Sequence, residues 1–552
     1  MTIDRRSLLG LIGAGAALPA AAAERTPSKV AFVHGVASGD PTTAGAILWT
    51  RATPAASGHV APIALTWKVA ATPNGKPVAS GQVDARAAKD FTAKADVTGL
   101  KPGTDYHYWF EAADGTKSPV GRFRTLPTGA LADAKLAFVT CQLYPAGLFN
   151  AYDAIARLDR VDAVVHLGDY IYEYGQEGYG GATGVKLNRL VDPPHEIVTL
   201  DDYRRRHALY KTDADLQAAH ARAAFICVWD DHETANDSWT GGAENHQPET
   251  EGDWRVRKAA ALQAYFEWMP IRDPIPGKPW ESINRGFQFG DLATLLMVET
   301  RLLARSHQAV LGGKPATPEN LAALVVERNR PDREMLGEPQ RRWLEQELQR
   351  SVAGGTPWQV LGNQVVMARV AGPRLDLMVG EAQAKQMAAA LPPEIRVQVE
   401  AALASYKAGL PYDMDAWDGY PAARERLYAA FREAGAHPLI LSGDSHAFWA
   451  NDLYDDGGRL VASEFGTSSI TSPSDEDELG GIPLGKMLQA ANKEVAYCNQ
   501  KAKGYILLTL TRQSARAELI AVSTILAKPY EAKTIATFEV APGAARQPLR
   551  NA

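Results

Sequence analysis

The alternation of apolar and polar residues changes period once along this chain, at Leu126-Pro127-Thr128-Gly129, and that change limits what it can fold into. Before it, Ile63, Leu65, Trp67 and Val69 alternate with Ala64, Thr66, Lys68 and Ala70, and Tyr106, Tyr108 and Phe110 alternate with Asp105, His107, Trp109 and Glu111. Period two is the pattern of half-buried strands. Leu100-Lys101-Pro102-Gly103 supplies a turn into the Tyr106 strand, and Asp114-Gly115 a hairpin turn into the next, over 120–125. Beyond residue 129, short apolar runs are separated by helical patterns. A strand over 136–140 is followed by a helix with Leu148, Tyr152, Ile155 and Leu158 on one face, then by a strand over 163–167. This order builds a parallel sheet with helices against it. Further strands are expected over 225–229, 292–298, 358–361, 439–441 and 460–465, helices over 253–268, 338–348 and 381–406, and strands again over 505–540. At 552 residues the chain exceeds the size at which one core stops growing, so two folding units are expected. The reading is an all-β sandwich over 28–127, an α/β unit over 131–525, and a C-terminal strand and tail over 526–552.

The strands of the second unit run directly into potential ligands. The first ends in Cys141, the second in Gly168-Asp169-Tyr170-Ile171-Tyr172, the third in Asp230-Asp231-His232, and the strand over 439–442 in Gly443-Asp444-Ser445-His446. In parallel sheets, ligands bind outside the carboxyl ends of the strands, so these residues would meet in one crevice. Each has an ordinary explanation alone: Cys141 as a small buried apolar residue, Asp169 or Asp444 as a turn former, Tyr172 as a packing aromatic, His446 as a core histidine, Asn236 as a cap. Chance does not put these types at four strand ends. Thiolate and phenolate beside carboxylate and imidazole favour Fe³⁺, whereas Asn and carboxylate oxygens suit Ca²⁺, Mg²⁺ or Mn²⁺. Two unlike metals about 3.5–4 Å apart, bridged by a carboxylate such as Asp169, can hold a hydroxide or oxide for in-line attack on phosphorus. Charge on the phosphoryl oxygens then needs donors, for which His232 and Arg301 are the candidates.

Residues 1–23 differ in kind, with Asp4-Arg5-Arg6-Ser7 preceding an apolar run of small residues that ends in Ala21-Ala22-Ala23. They read as a signal peptide, and the paired arginines point to transient contact with the Tat export machinery and a periplasmic or secreted protein. No second run reaches the roughly 20 apolar residues of a membrane crossing, so no transmembrane segment is expected in the mature chain. With 58 basic against 64 acidic side chains there is no general attraction to nucleic acid, and small, specifically bound substrates are the expected partners; the metal-pair chemistry above makes these small-molecule phosphate esters. Cys141, Cys227 and Cys498 are too few and too scattered for a disulfide framework.

The first segment, above all its LKPGTDYHYWF run, resembles a fibronectin type III (FnIII-like) sandwich. The runs GVASGDPTTAGAILWTR, FVTC, HLGDYIYEYG, VWDDHETAND, VETR and LSGDSHAFW together resemble the PhoD-like alkaline phosphatases of the calcineurin-like metallophosphoesterase superfamily, from about Val30 to about Val522. The resemblance implies an α/β fold with a four-layer α/β/β/α core behind the sandwich, and a site of Fe³⁺ with Ca²⁺. Carried over by position, it implies that Cys141, Asp169, Tyr172 and His446 are iron ligands, Asp169 being shared, and that Asn236 and Asp444 serve the calcium side. Asp231-His232 stands where the superfamily has an Asn-His pair, which leaves either Asp231 or Asn236 to touch metal. Our reading gives Asn236 to the metal, and Asp231, His232 and Arg301 to catalysis. Relatives often have two asparagines where this chain has Asn236-Asp237. The implied activity is that of an exported phosphomonoesterase. The alternatives are a phosphodiesterase or phospholipase-D-like enzyme on the same site and, in another class, a non-catalytic cell-surface binding protein.

Overall fold

The computed structural model describes residues 29–389, 393–478, 482–543 and 547–551. The expected signal segment, 1–23, and Ser28 lie outside the described residues.

Two sheets stacked face to face form the centre. In the first, Asp133–Val139, Ala163–His166 and Phe225–Cys227 run parallel. Lys503–Thr511 joins Asp133–Val139 in antiparallel register and leads outward through Ala515–Val522 to Ala532–Val540. In the second, Ala293–Met297, Trp358–Gly362, Leu439–Ser442 and Leu460–Gly466 are parallel neighbours. These strands are nearly all apolar because both of their faces are covered. Leu295, Met297, Val360 and Leu441 share a core with Phe138 and Val165 of the first sheet. The alternate residues Leu296, Val298, Leu361 and Ile440 face the other way, under the helices Gly337–Ala353 and Pro421–Glu433. Asn150–Ala156, Leu200–Tyr210, Ala214–Arg222 and Trp254–Trp268 pack onto the first sheet through Tyr152, Tyr203, Leu216 and Tyr265, which completes four layers. Among the described residues no helix is long and apolar enough to cross a membrane.

The sandwich read from the first segment is present, and it is built into the larger unit. Its four-stranded layer, Pro77–Ala85, Ile63–Ala70, Asp105–Ala112 and Gly121–Arg124, packs Leu65, Val69, Tyr108 and Phe123 against Leu48, Ala95 and Val97. Those last residues lie on Gly45–Arg51 and Thr92–Val97, which with Val36–Thr42 continue the first central sheet rather than forming a separate one. The join is parallel pairing of Val36–Thr42 with the three-residue strand Phe225–Cys227, whose edge would otherwise lie open. The single helical pattern over 381–406 is divided into Glu381–Ala389 and Pro393–Lys407. Proline cannot continue an incoming helix but suits the first position of a new one.

Candidate metal centre

The loops that follow the parallel strands of both sheets meet one another. Cys141 N–H donates to Gly168 O (3.2 Å), Gly443 N–H to Gln364 O (2.7 Å), and Ile470 N–H to Thr140 O (3.0 Å). The chain turns sharply to do this: Cys141, Asp169, Asp444 and His446 have φ of 57°, 59°, 60° and 54°. That left-handed region is uncommon for residues with a Cβ, costs on the order of 1–3 kcal/mol each, and concentrates at functional sites. The glycine before each aspartate is what lets the loops touch. A Cβ on Gly168 would lie 2.4 Å from Asp230 Cβ, and one on Gly443 would lie 2.6 Å from Thr140 Oγ1.

At the meeting point, Cys141 Sγ lies 3.3 Å from Asp169 Oδ2, and Tyr172 OH lies 3.0 Å from the same oxygen and 3.4 Å from His446 Nε2. One ligand atom each of Cys141, Asp169 and His446 fall within 4.8 Å of one another, and so do carboxylate oxygens of Asp169, Asp230, Asp231 and Asp444. Asp169 belongs to both groups and joins them. His446 Nδ1 donates to Pro473 O (2.5 Å), which assigns the proton to Nδ1 and leaves the Nε2 lone pair facing the cluster, the usual arrangement of a ligating histidine.

Of the residues expected from the sequence, Cys141, Asp169, Tyr172, Asp231, His232, Asp444 and His446 converge directly, with Arg301 beside them. Arg301 is fully buried and spans the carboxylates: Nε to Asp230 Oδ1 (2.5 Å), NH1 to Asp415 Oδ2 (2.5 Å), and NH2 to Asp444 Oδ1 (3.4 Å) and Asp231 Oδ1 (3.7 Å). His232 packs against Tyr172, ring centres 4.2 Å apart with the planes tilted by 32°, and its Nδ1 donates to Glu173 Oε2 (2.7 Å). Asn236 lies at the rim, where its N–H donates to Glu173 Oε1 (2.7 Å) and its Nδ2 to Glu244 Oε2 (3.2 Å), so its amide oxygen is the atom left for a ligand.

Several residues that organise the site were given no role from the sequence. Glu233 accepts from the N–H groups of Asp169, Tyr170 and Asp230 (3.1, 2.7 and 2.8 Å), and Glu299 from those of Arg301, Leu302 and Leu303 (2.9, 2.6 and 2.9 Å). Each buried glutamate turns a ligand-bearing loop. Both stand inside VWDDHETAND and VETR, two of the runs that carry the family resemblance. Asp415 and Ser472 lie outside any such run.

The electrostatics fit cations. Burial pushes the Asp169 carboxyl well above its usual range, with the nearby Asp231 and Asp230 adding to the effect despite His232. Burial, then Asp230, does the same to Asp444, and Asp230 is pushed up to about 6 against the pull of Arg301. Asp231 is raised by burial, but Arg301 and His232 outweigh it and hold the group below the carboxylate range. The Cys141 thiol is raised by burial and then by Asp169. Asp169 Oδ1, Asp230 Oδ2 and Asp231 Oδ1 are buried with no hydrogen-bond partner. Buried acceptors are rarely left so, and a group of carboxylates that repel one another is stabilised by a bound cation. The donor set therefore suits a metal pair, with thiol, phenol and imidazole on one side of Asp169 and carboxylates on the other.

Known proteins are similar to this chain over most of its length. Residues 136–519 match the family described as PhoD-like phosphatase, and residues 17–127 match the PhoD-like phosphatase N-terminal domain. Alkaline phosphatase D of Bacillus subtilis (strain 168) is 33% identical over 509 residues, which cover 89% of this chain and 77% of that protein. The solved structure of PhoD is similar over 94% of this chain and 92% of its own, at 30% identity and a TM-score of 0.77.

Proposed function

The chain belongs to the PhoD-like phosphatases, and from that membership and the site geometry we propose that it is an exported, metal-dependent hydrolase of phosphate esters of the alkaline phosphatase type. The observation that carries the reading is the shared contact of Cys141, Tyr172 and Asp169, three residues from two separate loops held within 3.3 Å by a fold that strains the backbone to bring them there. Cys141, Tyr172, His446 and Asp169 would hold Fe³⁺. Asp169, Asp444 and Asn236 would hold the divalent ion, for which Ca²⁺ is the choice, with Asp231 close enough to join them. Bound there, the metals supply Lewis-acid charge for the phosphoryl oxygens and make water a stronger nucleophile.

The chain's own residues orient and neutralise. Glu173 is held by Asn236 N–H and Asn245 Nδ2 and fixes Nδ1 of His232, so the opposite nitrogen is the one presented to a substrate or leaving-group oxygen. Arg301 is held at Nε and NH1 by Asp230 and Asp415, while its NH2 makes only the longer contacts and is the end available to a phosphoryl oxygen. Residues 1–23 would direct export through the Tat route to the periplasm or beyond.

The test is elemental analysis of the purified protein together with hydrolysis of an aryl phosphate by the natural chain and by Asp169→Ala. Iron plus a divalent ion and loss of hydrolysis in the variant are expected. Full activity in Asp169→Ala, or in protein stripped of metal, would overturn the proposal.

A further inference from the structure

Thr467, Ser468, Ser469, Thr471 and Ser472 are fully buried, a run of hydroxyls where apolar residues would be expected. Burying a hydroxyl is costly unless it is bonded. These are bonded, and mostly to the metal-site loops: Thr467 Oγ1 donates to Phe138 O (3.2 Å), Ser468 Oγ to His446 O (3.1 Å), Thr471 Oγ1 to Leu143 O (2.8 Å), and Ser472 Oγ to Cys141 O (3.0 Å). Pro473 O receives both His446 Nδ1 (2.5 Å) and Tyr179 OH (2.8 Å). The segment is a strap that ties together the loops carrying Cys141 and His446.

Ser472 does one thing more, because its Oγ also lies 2.7 Å from Tyr172 OH. The contacts of that phenol oxygen are Asp169 Oδ2, His446 Nε2 and Ser472 Oγ. When Tyr172 gives up its proton to ligate a metal, its oxygen becomes an acceptor. An ionised Asp169 has nothing to donate, and the proton of His446 is engaged at Pro473. Of the three only Ser472 has a proton that can turn to the phenolate: its hydroxyl donates to Cys141 O, and rotation about the Cβ–Oγ bond moves that proton from the carbonyl to the charged oxygen, the stronger acceptor.

We propose that Ser472 is the positioning residue of Tyr172: its hydroxyl donates to the phenolate oxygen and sets how strongly that oxygen donates charge to iron. The inference rests on the reading of Tyr172 as an iron ligand and goes beyond it. A phenolate relieved of a hydrogen bond is the stronger donor, so its charge-transfer absorption to Fe³⁺ moves to longer wavelength and the ferric state is favoured. Removing a partner of this kind weakens metal retention about 10- to 100-fold.

The experiment uses iron-loaded full-length protein. In the natural chain, resonance Raman should show a tyrosinate C–O stretch that shifts between H₂O and D₂O. In Ser472→Ala the charge-transfer band should move to longer wavelength at equal iron content, with the solvent-isotope shift lost, and Ser472→Thr should restore both. A natural protein whose C–O stretch ignores D₂O, or a Ser472→Ala protein with an unmoved band, would overturn the proposal. If Ser472→Ala holds no iron, the isotope shift in the natural chain and in Ser472→Thr decides by itself. Iron-loaded natural protein without any tyrosinate band would instead refute Tyr172 as a ligand, and this proposal with it.

Discussion

Replacing His207 by phenylalanine should make the protein more resistant to acid than the natural chain. His207 lies on the helix Leu200–Tyr210, fully buried, with neither ring nitrogen hydrogen-bonded. It stacks on Trp268, with ring centres 6.4 Å apart at 10°, and on Tyr170 at 6.1 Å, while Tyr265 meets it edge-on. Burial, and then the charge of Lys211, push its pKa well below the usual histidine value. Lys211 is the cation facing it and is itself lowered to about 7 by burial.

Because the folded-state pKa lies far below that of the unfolded chain, the unfolded state takes up a proton that the folded state refuses. Stability is therefore fully present above the unfolded pKa of about 6.5 and is lost as pH falls below it, at about 1.4 kcal/mol per pH unit for the one group. At pH 5 the deficit is about 2 kcal/mol, and at pH 7 about 0.2 kcal/mol. Phenylalanine keeps the stacking and cannot take up the proton. Whatever the larger ring costs in packing is the same at both pH values, so the difference between the two measurements isolates the titration. The assay is denaturant unfolding of metal-loaded natural and His207→Phe protein at pH 7 and pH 5. The variant should gain about 2 kcal/mol relative to the natural chain on going to pH 5. A relative stability that stays flat within about 0.5 kcal/mol would refute the reasoning, since it would mean that this imidazole can be protonated in place.

Gly168→Ala should cost at least about 2 kcal/mol and abolish metal binding, because the new methyl meets Asp230 at 2.4 Å and the backbone φ of +119° disfavours any side chain; thermal unfolding and metal content measure both. Glu173→Gln leaves His232 without its buried anchoring charge, and kcat for an aryl phosphate should fall about 100-fold with KM changed far less, as steady-state kinetics will read. Chelation of the divalent ion should remove activity and lower the melting temperature together, and adding the ion back should restore both. A loss of activity with an unchanged melting temperature would separate the ion from the fold.

The candidate residues that converge were legible because most follow an apolar strand closely and because the tight turn that presents the aspartates needs glycine at a fixed place, as at Gly168 and Gly443. Glu233 and Glu299 could have been read as well, since a carboxylate beside a sharp turn has three N–H groups within reach. Asp415 could not, for it arrives from the segment over 373–417, where nothing local ties it to Arg301. Ser472 was hidden by composition, as a run of serines and threonines reads as a surface loop until its hydroxyls are found bonded inside. The fused sheet escaped for a related reason. Periodicity reports which faces are buried, and it says nothing of which edge pairs with Val36–Thr42.

The buried charge then explains why such a strained arrangement persists. Asp169, Asp230, Asp231 and Asp444, when all are ionised, stand against one guanidinium, that of Arg301, which leaves −3, while Asp415 is matched by Arg305 and Glu173 by a protonated His232. Four residues with positive φ add a backbone cost of the same sign. Packing anchors these loops, through Tyr170, Ile171 and Ile470 in the main core and the small group of Cys141, Leu143, Ala146 and Tyr172, but it does not neutralise the carboxylates. Binding of cations by the folded state alone stabilises it in proportion to the logarithm of ligand excess over Kd, and it acts on these loops first. The strap over 467–474 supplies the remaining part, by fixing the loops to one another so that the metal meets a prepared set of ligands and does not have to gather them.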